Sequence, residues 1–129
     1  MRHVLLLLIG IVIGTLGAIS LNNAISQRNP VPRAVMVMMA YHQGQLQQSI
    51  RSGRCSAEAV VPELELMDSV ALSIPPVFQG FDQGFAQATT RLQQAIRQAA
   101  THPAASCQAW QAPLAAVKEA CDACHRQYR

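Results

Sequence analysis

Residues 104–129 read AASCQAWQAPLAAVKEACDACHRQYR, and their spacing decides the fold. Trp110, Leu114, Val117, Cys121, Cys124 and Tyr128 recur at intervals of three or four, as on one face of an α-helix. Alanine and glutamine fill many of the remaining positions and favour helix. The spacing predicts a helix over about 104–128, bent or interrupted at Pro113, which lacks the N–H for an internal bond. The segment closes on Cys121-Asp122-Ala123-Cys124-His125. Two thiols and an adjacent imidazole at this spacing form the attachment pattern of one covalent haem c. Each thiol adds across a vinyl group to give a thioether, and the histidine takes the proximal position on the iron.

Three other readings of these residues stay open. A thioredoxin-like Cys-x-x-Cys needs a low-pKa thiol, usually at a helix N-terminus. This motif ends a helical segment, where the helix dipole disfavours a thiolate. A structural zinc site takes four ligands; Cys121, Cys124 and His125 offer three, with no second ligand pair at metal-site spacing in the sequence. A chance match is the third.

Toward the N-terminus three further segments carry helical spacing, and none shows sustained strand alternation. About 79–100 places Phe85, Leu92, Ile96 and Ala99 on one face, and Thr101-His102-Pro103 makes a turn with His102 in solvent. About 56–74 opens on Ser56, a good N-cap, and carries Val60, Leu64, Met67 and Ala71 before Pro75-Pro76 ends it. Pro62 marks its first turn or a kink. About 32–52 carries Met36, Met39, Leu46 and Ile50, with Gln43 on the same stripe, and Gly53 stops it. Four helices joined by short turns predict an all-α fold, an antiparallel up-down-up-down four-helix bundle over 33–129. In that topology the end of the last helix, with His125, lies beside the mid-thirties. The turns holding Cys55 and Cys107 meet at the opposite end. Cysteines that meet in an oxidising compartment pair, so a Cys55–Cys107 disulfide is expected, with two free thiols as the alternative.

Val4–Leu21 reads VLLLLIGIVIGTLGAISL, carries no charge and is about long enough to cross a hydrocarbon core as a helix. Arg2 and His3 precede it, which predicts a cytoplasmic N-terminus and export of the rest. Residues 1–21 thus read as an N-terminal transmembrane or signal-anchor helix, and the polar stretch 22–32, ending in Pro30-Val31-Pro32, as a linker. Haem c is attached on the far side of the bacterial inner membrane, so the domain is expected on its periplasmic side. Ala18-Ile19-Ser20 is a passable cleavage site and Asn22-Asn23-Ala24 a poor one, so a retained anchor is favoured over a removed signal peptide. Gly10 and Gly14 add a Gly-x-x-x-Gly spacing that lets helices approach closely. The formal charge is +3, but no basic run or aromatic-interleaved patch suggests a nucleic-acid partner. No Ser-His-Asp, paired-carboxylate or phosphate-loop pattern stands out, so no enzyme activity is expected.

A Cys-x-x-Cys-His motif closing a four-helix bundle resembles the cytochrome c prime family. Members often end in Cys-x-x-Cys-His-x-x-aromatic-Arg, matched here by His125-Arg126-Gln127-Tyr128-Arg129. Members often carry Ala-Val-Met and then Met, His and Gly in the first helix, matched by Ala34-Val35-Met36, Met39, His42 and Gly44. The resemblance covers essentially all residues after the linker. The chain departs from it in a short connection between the second and third helices, in Pro62 and Pro113, and in its two extra cysteines. The resemblance implies that a first-helix residue covers the distal face of the haem. Met36 occupies the matching position, and its thioether as a sixth ligand would favour Fe(II) and electron transfer. The alternatives are core packing by both methionines or ligation by Met39 one turn on. His42 lies too far along the helix and is expected at an interface or the surface. Tyr128 and Arg129 are candidate haem neighbours, Arg129 pairing with a propionate, tuning His125, or standing as an exposed terminal charge. The leading reading is a membrane-anchored electron carrier, alone or as a subunit of a larger membrane redox complex. It would serve redox partner proteins and assemble as a homodimer or within such a complex. The alternative is a high-spin haem protein that binds nitric oxide or carbon monoxide.

Overall fold

The computed structural model describes residues 2–26 and 30–128, with side chains at 7–21 and 30–128. Among them every regular element is a helix: α1 Arg2–Ser26, α2 Val31–Arg51, α3 Ala57–Ala71, α4 Ile74–Val77, α5 Gln83–Thr101 and α6 Cys107–Tyr128. The chain divides into two units, Met1–Pro30 and Val31–Arg129.

The first unit is α1. Its described side chains are all exposed. Among the described residues no helix is long and apolar enough to cross a membrane. At ~1.5 Å per residue the stretch 7–21 covers about 22 Å, short of a hydrocarbon core of ~30 Å. Residues 4–6 of the expected span lie outside the described side chains. The helix continues through Ser26 because 22–26 contains no proline or glycine to stop it. At the other side α2 begins at Val31, with Pro32 in its first turn, where the missing N–H has no bond to lose. The interval read as a linker is therefore helical at both ends.

In the second unit α2 packs on α3, α3 on α5 and α5 on α6, while the short α4 touches both α2 and α5. α2 and α6 make little direct contact. The stripes expected on α3 and α5 are buried, and Ala88 and Thr89 join the latter. On α2 the buried face is rotated from the expected stripe. Val35, Met39, His42, Leu46 and Ser49 are buried, whereas Met36, Gln43 and Ile50 are half-buried. The cause is that α2 packs on α3 along one face and leaves its flank toward α6 thinly covered. Pro62 and Pro113 lie inside α3 and α6 and do not end them. Each removes one backbone donor in the N-terminal half of its helix.

Helix boundaries follow local chemistry. Ser56 occupies the N-cap of α3 without a side-chain cap bond; its carbonyl accepts from the N–H groups of Ala59 and Val60 instead. α3 stops at Ala71, and Pro75-Pro76 falls within the separate α4. α5 starts at Gln83 rather than near Gln79 because Asp82 caps it, accepting the Phe85 N–H at 2.9 Å. α6 starts at Cys107, which is disulfide-bonded to Cys55 with a Cα–Cα distance of 5.1 Å. One turn on, the fully buried Trp110 donates its Nε1–H to the Cys55 carbonyl at 2.9 Å. The bridge and this bond fix the start of α6 against the segment after α2.

Candidate functional site

At the other end of the same two helices, a partly enclosed cleft of about 120 Å³ lies between the first half of α2 and the last turns of α6. α2 contributes Met36, Met39, Ala40 and Gln43. α6 contributes Cys121, Asp122, Cys124 and His125. Ile74 of α4 and Phe85, Thr89 and Leu92 of α5 complete the lining. The beginning of α2 thus lies across the cleft from the end of α6, while the disulfide joins the segment after α2 to the beginning of α6. The two helices run in opposite directions.

Both motif cysteines are free and half-buried. Burial, helped by Asp122 and Cys124, pushes the Cys121 thiol up to about 11. Burial also raises Cys124. Such thiols stay protonated near neutrality, the opposite of the low-pKa cysteine of a thiol–disulfide oxidoreductase. Asp122 pairs with Lys118 one turn earlier, and that hydrogen bond holds its carboxyl below the ordinary range. His125 is exposed at the edge of the cleft. Among the described residues no group of three or more His, Cys, Asp or Glu side chains converges to hold a bare metal ion.

The structure gathers Met36, Met39, Cys121, Cys124 and His125 around this one cleft. Met39 is buried and Met36 half-buried. Met38, on the other side of α2, is exposed. Tyr128 does not line the cleft. It packs edge-on against Phe85, with ring centroids 5.3 Å apart, and so backs a residue that does. Arg129 lies outside the described residues. His42 is buried between α2 and α3, its Nδ1 2.8 Å from Glu63 Oε2, and takes no part in the cleft. His102 is exposed at the end of α5, as its turn position predicts.

Sequence reasoning missed Ile74, Thr89 and Asp82. Ile74 was hidden by the two prolines after it. Thr89 lies between Phe85 and Leu92 and completes the i, i+4 and i, i+3 steps that join them. Asp82, just before the apolar periodicity of α5 begins, carried a usable N-cap signal. Comparison of the chain with family models, curated proteins and solved structures returns no match in any of the three.

Proposed function

We propose that this chain carries one covalent haem c and transfers single electrons. The observation that carries the reading is the shared lining of one apolar cleft by Cys121, Cys124, His125 and Met36. The donor chemistry fits the group, while the cleft, at about 120 Å³, encloses only part of a haem. Two free thiols at attachment spacing stand on one wall with an imidazole beside them, a thioether faces them from α2, and Ile74, Phe85 and Leu92 supply apolar surface. When bound, haem c supplies a one-electron Fe(III)/Fe(II) couple. Cys121 and Cys124 would anchor it, His125 and Met36 would ligate its iron, and Met39 would pack beside it. Apolar walls beside the iron would favour its less charged Fe(II) form.

The sequential packing of α2, α3, α5 and α6, with α2 and α6 antiparallel, supports an antiparallel four-helix bundle resembling cytochrome c prime. In this reading residues 1–21 anchor the chain in the bacterial inner membrane, N-terminus in the cytoplasm and 33–129 in the periplasm. The anchor rests on the uncharged run Val4–Leu21. Redox partner proteins dock on the periplasmic domain, within a homodimer or a larger membrane complex.

The test is purification of the full chain from cells with haem-attachment machinery. The protein should stay red after acid–acetone extraction and exceed its polypeptide mass by one haem. The reduced form should give a low-spin spectrum that carbon monoxide leaves unchanged. Loss of all colour on extraction would sink the cofactor assignment. A high-spin spectrum with ready carbon monoxide binding would replace electron transfer by gas binding, with Met36 as a distal plug.

A further inference from the structure

Next to the cleft, and sharing Gln43 with it, a second cavity of about 300 Å³ opens along the line where α2 and α6 make little contact. Leu46 and Ile50 of α2 form one wall, Leu114 and Val117 of α6 the other, and Met67 of α3 reaches it from beneath. These walls are aliphatic, and no aromatic ring lines the groove. It therefore offers no stacking partner to a flat conjugated head. Its volume stands at the lower limit of small-molecule sites, which suits one narrow chain better than a two-chain lipid.

The charge on the rim has one sign. Arg51 and Lys118 line the groove and no carboxylate does. Lys118 is already paired with Asp122. Arg51 makes no ion pair among the described residues. Gln47, one turn before Arg51 on α2, and Gln111 on α6 line the same cavity and carry amide donors. A guanidinium in a cavity that also holds two amide donors is suited to a carboxylate.

We propose that this groove binds one long-chain fatty acid, its alkyl chain along the aliphatic walls and its carboxylate at Arg51. The groove adjoins the motif cleft through Gln43, and the proposal rests on the group attached there leaving the groove open.

The experiment uses the full chain in phosphatidylcholine nanodiscs with a diazirine-bearing palmitate, irradiated, digested and mapped by mass spectrometry. Label should appear on peptides containing 46–50 and 114–117, and free palmitate should displace it while hexadecanol does not. Leu114→Trp, which fills the groove, should reduce labelling there by about tenfold or more. Arg51→Gln, at an exposed position that leaves the fold intact, should weaken competition by palmitate roughly three- to tenfold. Label confined to α1 would overturn the proposal, as would equal displacement by hexadecanol. Equal labelling by a diazirine-bearing phosphatidylcholine would assign the groove to membrane lipid instead. Labelling seen only in a Cys121→Ala, Cys124→Ala variant would mean that the attached group itself fills the groove, and would also overturn it.

Discussion

The Tyr128 hydroxyl donates to Asp82 Oδ1 at 2.8 Å, and the same oxygen accepts the Phe85 N–H at 2.9 Å. One carboxylate oxygen therefore caps α5 and holds the last turn of α6, just beyond His125. The ring of Tyr128 stands edge-on to Phe81 and Phe85, which stack on each other at 4.7 Å. Since Phe85 lines the cleft, the motif is tied to its facing wall through a helix cap as well as through packing.

This tie titrates at both ends of the pH scale. The Phe85 N–H, and then the Tyr128 hydroxyl, hold the Asp82 carboxyl below its ordinary 3.8. A carboxyl lowered by folding contributes stability that is full above its unfolded value and is lost as pH falls through the folded one. Burial, and then the bond to Asp82, raise Tyr128 above its ordinary 10.0. Its contribution is full below that value and is lost as pH rises through the folded one. Thermal melts of wild type and Asp82→Ala should therefore converge at the acid end. Those of wild type and Tyr128→Phe should converge at the alkaline end. Curves that stay parallel throughout would show that the tie's contribution does not depend on the ionisation of Asp82 or Tyr128.

Gly84 leaves room for the tyrosine. A Cβ at this position would stand 2.5 Å from the Tyr128 hydroxyl oxygen and 3.2 Å from Asp82 Oδ1. Gly84→Ala should displace the hydroxyl and break its bond. Tyr128→Phe should then cost little more in the Gly84→Ala background than the alanine alone. A double-mutant cycle in urea checks this; strictly additive losses would refute it.

Trp110 is fully buried and bonded to the Cys55 carbonyl. Trp110→Ala should cost about 3–5 kcal/mol. Trp110→Phe keeps most of the ring but leaves that carbonyl without its donor, a loss of roughly 1–3 kcal/mol. Equilibrium unfolding should place the two variants in that order.

The bridge between Cys55 and Cys107 closes a separation of 52 residues. On chain-entropy grounds its removal by Cys55→Ser and Cys107→Ser should cost about 4 kcal/mol. In the haem c reading the optical spectrum should be unchanged, since the cleft lies at the other end of α2 and α6. A spectral shift on removing the bridge would show that the two ends communicate.

The two methionines of the cleft should separate ligation from packing. If the chain carries haem c as proposed, Met36→Ala should turn it high-spin, open it to carbon monoxide and lower its potential, because a thioether favours Fe(II). Met39→Ala, at a residue 7% exposed, should cost ~2–5 kcal/mol of stability and leave the spectrum low-spin. A high-spin Met39→Ala with a low-spin Met36→Ala would exchange their roles.

Apolar spacing made the cores of α3 and α5 legible, because both helices are covered on one face by neighbours that the sequence also announces. It misplaced the buried face of α2. That face is set by which neighbours α2 lacks, and no local pattern records that α6 stands off from it. Cys55 and Cys107 could be brought together from topology alone. The cap at Asp82 was legible as an N-cap and went unread, whereas the short helix at Pro75-Pro76 lay hidden, since a double proline signals a break in one helix without announcing another. At the site, the motif fixed three residues by identity. The wall supplied by α4 and α5 depends on contacts between segments distant in sequence.

α6 also keeps the four cysteines sorted. Cys107 is its first residue, and Cys121 and Cys124 lie in its last turns. At ~1.5 Å per residue a formed helix holds Cys107 about 21 Å from Cys121, whereas a disulfide needs Cα atoms within about 7 Å. Once α6 is helical, Cys107 cannot exchange with either motif thiol, and only Cys55 comes within its reach. A formed α6 thus works as a ruler that excludes one set of mispairings, those of Cys107 with Cys121 or Cys124. Exchange of Cys107 with either motif thiol is confined to the interval before α6 forms.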